Sequence, residues 1–231
     1  MSNVAQCLQQ VLTSIRRAES VYGRKPNSVK LVAVSKFHPV ESVLEATSAG
    51  QILFGENRVQ EAVTKFEQVR LQVPNVELHI IGQLQRNKVK NAISVASCIQ
   101  SVDRIELLEE IEKQASKKEK KIQVFFEFHT AEDSKSGYTN LDEVFKSLEY
   151  CQKTNYIEVV GFMTMAPFTQ NHKLIASSFK KLVEVQHKAQ SRFPDLQLDE
   201  LSMGMSNDYE IAISEGATIV RIGSAIFGSR V

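Results

Sequence analysis

The chain has 231 residues, 28 of them Lys or Arg and 27 Asp or Glu, for a net charge of +1. That balance provides no overall field to draw in nucleic acid or an anionic membrane, and no run approaches the roughly 18 uninterrupted apolar residues that span a bilayer. Cys7, Cys98 and Cys151 are odd in number, far apart and without CxxC or Cys/His spacing, which argues against a disulfide framework or a metal site and fits reduced thiols in a cytosol.

The first segment, MSNVAQCLQQVLTSIRRAE, lacks the basic start and continuous apolar centre of a secretory signal; the expectation is a cytoplasmic protein. Val4, Leu8, Val11, Leu12 and Ile15 recur at helical spacing, which predicts an amphipathic helix ending before Gly23 and Pro26. Leu31, Val32, Ala33 and Val34 then form the apolar, partly β-branched run of a strand buried on both faces. Lys36 closes that run, and Pro39 stops it. A helix from Val40 to Ala49 is stopped by Gly50, and Gln51 to Asn57 reads as a second strand. Another helix runs through Val59, Val63, Phe66 and Val69 to Pro74, before a third strand at Val76 to Gln83. Further strands are predicted near Cys98 to Val102, Gln123 to His129, Glu158 to Met165, Glu200 to Met203 and Thr218 to Ile222, with helices between them. The run KQASKKEKK, Lys113 to Lys121, reads as a solvated helix face rather than a nucleic-acid patch. No repeat, low-complexity segment or linker divides the chain, so residues 1–231 are expected to form one domain.

Strands alternating with helices predict an α/β fold of the (β/α)8 TIM-barrel type; a doubly wound open sheet is the competing arrangement. In a barrel, functional groups belong at the C-terminal ends of strands. Polar residues gather there: Lys36, Glu56 with Asn57, Gln83, His129, Ser202, and Arg221 with Gly223 and Ser224, joined by Met165 after the sixth strand. SMGMSND, Ser202 to Asp208, and RIGSAIFG, Arg221 to Gly228, follow strands seven and eight, where such barrels bind phosphate. Gly204 and Gly223 permit close approach of an anion, and Ser202, Ser206 and Ser224 can donate hydroxyl hydrogen bonds to it. A lysine at a partly desolvated barrel mouth has a lowered pKa, and its neutral amine can condense with an aldehyde. An aldehyde that carries its own phosphate describes pyridoxal 5′-phosphate. The alternative for Lys36 is a snorkelling side chain, or one paired with a carboxylate such as Glu56.

AVSKFHP, FGENRVQE, HIIGQLQRNK, SKSG, GFMTMAP, LSMGMSND and VRIGSAIFG occur in this order along nearly the whole chain, and in them the sequence resembles the pyridoxal phosphate homeostasis protein family. The resemblance implies a barrel like the N-terminal domain of alanine racemase, the fold-type III arrangement of pyridoxal phosphate proteins. It also implies that Lys36 holds the cofactor as a Schiff base, that Arg221 lies by the pyridine nitrogen, and that Ser206, Gly223 and Ser224 lie by the phosphate. Asn57, Met165 and Met203 would line the ring. Arg58 stands where the family has tyrosine and His129 where it has asparagine; neither touches Lys36 or the phosphate turns by this reading.

An arginine beside the pyridine nitrogen cannot accept a proton, so the nitrogen stays neutral and the ring is a weak electron sink. The resemblance implies that alanine racemase takes its second base from a C-terminal β-domain, which the sequence ending at Val231 lacks. The reading that follows is a cofactor carrier or buffer without catalytic turnover. It would act in intracellular pyridoxal phosphate homeostasis and in amino-acid and keto-acid balance. Its partners would be pyridoxal phosphate-dependent apoenzymes, and the expected state is a monomer. The alternative is a small amino-acid racemase or decarboxylase-like enzyme with Lys36 as base. The five histidines show no HExxH or paired spacing for a metal, His79 reads as a core histidine, and no GxSxG elbow supports a hydrolase. Asp133, Ser134 and Lys135 belong either to a lid or to a plain polar loop.

Overall fold

A computed structural model describes residues 3–130 and 137–228; the expectation for Asp133, Ser134 and Lys135 lies outside them. Eight parallel strands close into a barrel in chain order. They are β1 (Lys30–Val34), β2 (Leu53–Glu56), β3 (Glu77–Ile80), β4 (Cys98–Val102), β5 (Ile122–Glu127), β6 (Ile157–Met163), β7 (Glu200–Ser202) and β8 (Ile219–Ile222). Around them lie α1 (Asn3–Val21), α2 (Val40–Ser48), α3 (Val59–Gln72), α4 (Val89–Val95), α5 (Ile105–Ser116), α6 (Leu141–Cys151), α7 (His172–Arg192), α8 (Tyr209–Ser214) and the single turn α9 (Ser224–Phe227). The open-sheet alternative fails because β8 pairs with β1, Val32 opposite Arg221 and Ala33 opposite Ile222.

Strand alternation sorts the core into two layers. Val32, Val34, Cys98, Phe125, Met163 and Ile219 pack as one cluster inside the barrel. Their neighbours Leu31, Ala33, Ile99, Val124, Phe126, Phe162 and Val220 belong to the larger cluster under the helices. Both faces are therefore dry, which is why the strands read as continuous apolar runs. The α1 helix packs against α2, α8 and α9 through Leu8, Val11, Ile15 and Ala18, completing the helical layer where one-turn α9 is too short. At Gly161, where the pairing of β5 with β6 shifts register, a Cβ would lie 1.8 Å from the Glu200 carbonyl oxygen. Only glycine lets β6 and β7 meet so closely.

Several strands stop earlier than the sequence predicts. Ile81 to Gln83, Thr164 and Met165 have already left the ladder and form the barrel mouth. Of the lysine-rich run, Lys120 donates to the carbonyls of Ile93 at 2.7 Å and Ala96 at 2.8 Å, binding orphan acceptors at the end of α4; this lysine is half-buried while its neighbours Lys117 and Lys118 are exposed. Cys98 and Cys151 are buried, and burial pushes the Cys151 thiol up to about 12, so neither is poised as a nucleophile. Among the described residues no helix is long and apolar enough to cross a membrane.

Candidate functional site

The mouth of the barrel opens into a cavity of about 530 Å³. Lys36 and Asn57, just beyond β1 and β2, line it together with Met165 after β6, Ser206 after β7, and Arg221, Gly223 and Ser224 of β8 and its turn. Seven predicted residues from five strand ends thus share one wall-to-wall space. Met203 does not line it. Strand alternation turns Ser202 inward and Met203 outward, and Met203 is wholly buried in the cluster beneath the helices.

Lys36 is half-buried, and Phe37 after it has φ of 68°, a left-handed conformation that costs energy for a residue with a bulky side chain. The Arg58 guanidinium lies 5.5 Å from the Phe37 ring centroid and pairs with Glu61 at 3.0 Å. Glu56 is not the partner of Lys36. Gly55 points inward and Glu56 outward, where its Oε1 accepts from Lys65 Nζ at 2.8 Å and from Ser35 Oγ at 2.7 Å. Lys65 also donates to the Ser35 carbonyl at 2.8 Å, so the group ties the ends of β1 and β2 on the far side of the residues that line the cavity. Burial raises the Glu56 pKa against the pull of Lys65 and Ser35.

The turns after β7 and β8 meet. Ser224 Oγ and Ser206 Oγ are 3.2 Å apart, both presented to the cavity. A Cβ on Gly223 would approach the Val34 carbonyl oxygen to 3.0 Å; hydrogen at this position lets the β8 turn lie against the strand that carries Lys36. Asp208 organises the first turn by accepting from the Met205 backbone N–H. Its pKa is raised by burial, in spite of that bond and of Arg221.

Arg221 is 4% exposed. Its Nη1 donates to Ser202 Oγ and its Nη2 to the Thr164 carbonyl, each at 2.8 Å. Burial pushes its pKa down to about 10, offset by Glu127 and Asp208, so at neutral pH it is a buried cation facing the cavity. His38, which sequence spacing left among scattered histidines, also lines the cavity; its ring stacks on Phe227 at 5.2 Å, and burial and then Lys65 hold its pKa below the usual value. Its place two residues after Lys36 was the available signal. Gln83 is exposed and His129 stays outside the cavity, its backbone N–H given to the Tyr138 carbonyl at 2.9 Å. Phe37, Met165, Phe168 and Met205 are exposed apolar side chains on the cavity wall and rim.

The arrangement combines a primary amine, a pair of hydroxyl donors beside a close-packed glycine turn, and a buried cation. Comparison with known proteins identifies the family and the fold. Residues 7–231 match the family model of the alanine racemase N-terminal domain. A pyridoxal phosphate homeostasis protein of Aquifex aeolicus is 40% identical over 231 residues, covering 99% of each chain. One from Vibrio alginolyticus is 37% identical over 233 residues, covering 100% of this chain and 99% of the other. PipY of Synechococcus elongatus, solved with PLP bound, superposes with a TM-score of 0.86 at 32% identity over 97% of this chain and 100% of its own. The alanine racemase of Streptomyces coelicolor, at 16% identity and TM-score 0.76, shares the fold. On these grounds the chain belongs to the pyridoxal phosphate homeostasis protein family, built on the alanine racemase N-terminal barrel.

Proposed function

We propose that this protein binds pyridoxal 5′-phosphate at the barrel mouth, holds it covalently through Lys36, and acts in cofactor homeostasis as a carrier rather than a catalyst. The observation that carries the reading is the meeting in one cavity of Lys36, the Ser206–Ser224 hydroxyl pair and the buried Arg221 cation. These residues fit the group: the hydroxyls and the Gly223 turn suit a phosphate, and about 530 Å³ is ample for a pyridine ring. Bound there, the cofactor supplies an aldehyde carbon that condenses with an amine, releasing water, and a phosphate that anchors it. Lys36 is the amine in that reading. Ser206 and Ser224 donate to the phosphate, Gly223 admits it, and Asn57 and Met165 flank the ring. Arg221 offers only N–H donors, so a ring nitrogen beside it receives a hydrogen bond and no proton.

Proton abstraction from a bound amino acid gains little from such a site, because an unprotonated ring is a weak electron sink. That favours the carrier reading over a racemase-like enzyme. We place the protein in the cytoplasm as a monomer that hands the cofactor to apoenzymes.

The test is the spectrum of the purified protein with pyridoxal phosphate, before and after borohydride, followed by peptide mapping. The expected result is one reduced adduct, on Lys36, absent in Lys36→Ala; an adduct mapped to another lysine overturns the assignment. Incubation of the loaded protein with amino acids in deuterated water separates carrier from enzyme. Sustained exchange of the α-proton with turnover would defeat the carrier.

A further inference from the structure

Behind the cavity a line of polar side chains crosses the barrel interior, and none of its three inner members touches the cavity. Ser202 on β7, Gln100 on β4 and His79 on β3 are 0%, 0% and 5% exposed. Each sits between outward-facing neighbours, Leu201, Ile99, Leu78 and Ile80, of the outer cluster, so alternation turns it into the barrel. Polar groups in so dry a place persist only where each is hydrogen-bonded.

The direction of the chain follows from what each group can do. A guanidinium only donates, so Ser202 Oγ accepts from Arg221 Nη1 at 2.8 Å. The serine hydroxyl proton goes to Gln100 Oε1 at 2.7 Å, which turns the amide nitrogen of Gln100 toward His79 Nδ1, 2.8 Å away. An amide N–H only donates, so Nδ1 accepts and the imidazole carries its proton on Nε2. On the other side Arg221 Nη2 is held by the Thr164 carbonyl at 2.8 Å. Both terminal nitrogens are therefore gripped by neutral acceptors, which orient the cation, while Glu127 and Asp208 act on its charge through space.

We propose that Ser202, Gln100 and His79 are positioning residues for Arg221, a one-way hydrogen-bond chain that fixes the guanidinium as a donor facing the cofactor's ring nitrogen. The inference rests on the cofactor reading above and extends its site to residues on β3 and β4 that the cofactor does not reach. His79 is thus more than a satisfied core histidine: its unprotonated Nδ1 is the acceptor at which the chain ends.

The full-length protein and its variants, titrated with pyridoxal phosphate, test the proposal. Gln100→Met and His79→Leu should bind about tenfold more weakly, as expected for a disturbed hydrogen bond to a charged group, and should shift the absorbance maximum of the bound cofactor. His79→Asn, whose Oδ1 can accept in place of Nδ1, should restore binding to within about twofold. Binding and spectra like the wild type in Gln100→Met or His79→Leu, or an Asn variant as impaired as the Leu variant, would overturn it. Should either variant fail to fold, the ¹⁵N spectrum of imidazole in the unmodified chain decides. A neutral His79 protonated on Nε2 is expected, and a proton on Nδ1 would reverse the chain and sink it. That spectrum needs no cofactor, so failure of the wild type to take up pyridoxal phosphate would count against the function and leave the chain to be judged separately.

Discussion

Lys65 and Arg221 are both buried cations near strand ends, and they are held in opposite ways. Lys65 is locked to a carboxylate, Glu56, at 2.8 Å, on the outer side of the barrel under α3. Arg221 faces the cavity and gives its terminal nitrogens to a hydroxyl and a carbonyl. One charge is consumed in joining β1 to β2; the other stays directed at whatever enters the mouth. The contrast teaches that burial of a charge alone does not mark a site. What marks it is a charge whose terminal nitrogens donate to a hydroxyl and a carbonyl instead of a carboxylate, with an open volume in front.

The largest effect expected from this contrast belongs to Lys65. Lys65→Met leaves Glu56 as an uncompensated buried carboxylate and should cost about 3–5 kcal/mol of stability, measured by urea denaturation. Lys65→Met combined with Glu56→Leu should recover most of it. A loss below about 1 kcal/mol in the single variant would show that the pair is no lock.

Next comes the acid limb of stability. Burial holds His79 at about 4, against an ordinary 6.5, so the unfolded chain takes up a proton that the folded chain refuses. Stability should fall as pH drops from about 6.5 toward 4, by about 3 kcal/mol in all. His79→Asn should flatten that limb, and an unchanged pH profile would show that His79 is not the group responsible.

Arg221→Met should weaken pyridoxal phosphate binding tenfold or more, the cost of one charged hydrogen-bonding partner, while destabilising the fold less than Lys65→Met does. The reverse ranking would erase the distinction between the two cations. Smallest is Ser206→Ala, at a half-buried turn position: a stability change within about 0.5 kcal/mol, with only a few-fold weaker binding. A large loss of stability there would mean that the serine pair braces the turns instead of serving a ligand.

The barrel was legible because its strands are dry on both faces and punctuated by Gly and Pro. Lys36, Asn57, Met165, Ser206, Arg221, Gly223 and Ser224 were legible as a group because strand ends converge. What the sequence hid was sidedness at single positions. Glu56 and Asn57 are adjacent, yet one faces α3 and the other the cavity; Ser202 and Met203 also diverge, one into the barrel interior and the other under the helices. A period of two assigns faces only once the register is known, and the shift between β5 and β6 at Gly161 carries no local signal beyond the glycine itself. The chain from Arg221 to His79 was illegible for a further reason. Its members come from four strands, and nothing in their spacing shows that Gln100 reaches both Ser202 and His79.

The pairing of β8 with β1 also governs how the protein is made. Lys36 is synthesised long before Arg221, Gly223 and Ser224, and the barrel closes only when they arrive. Such end-to-end pairing is slow to form. Until then Lys36 lacks the hydroxyl pair and the cation that share its cavity, so a nascent chain displays the amine before the rest of the cavity wall exists.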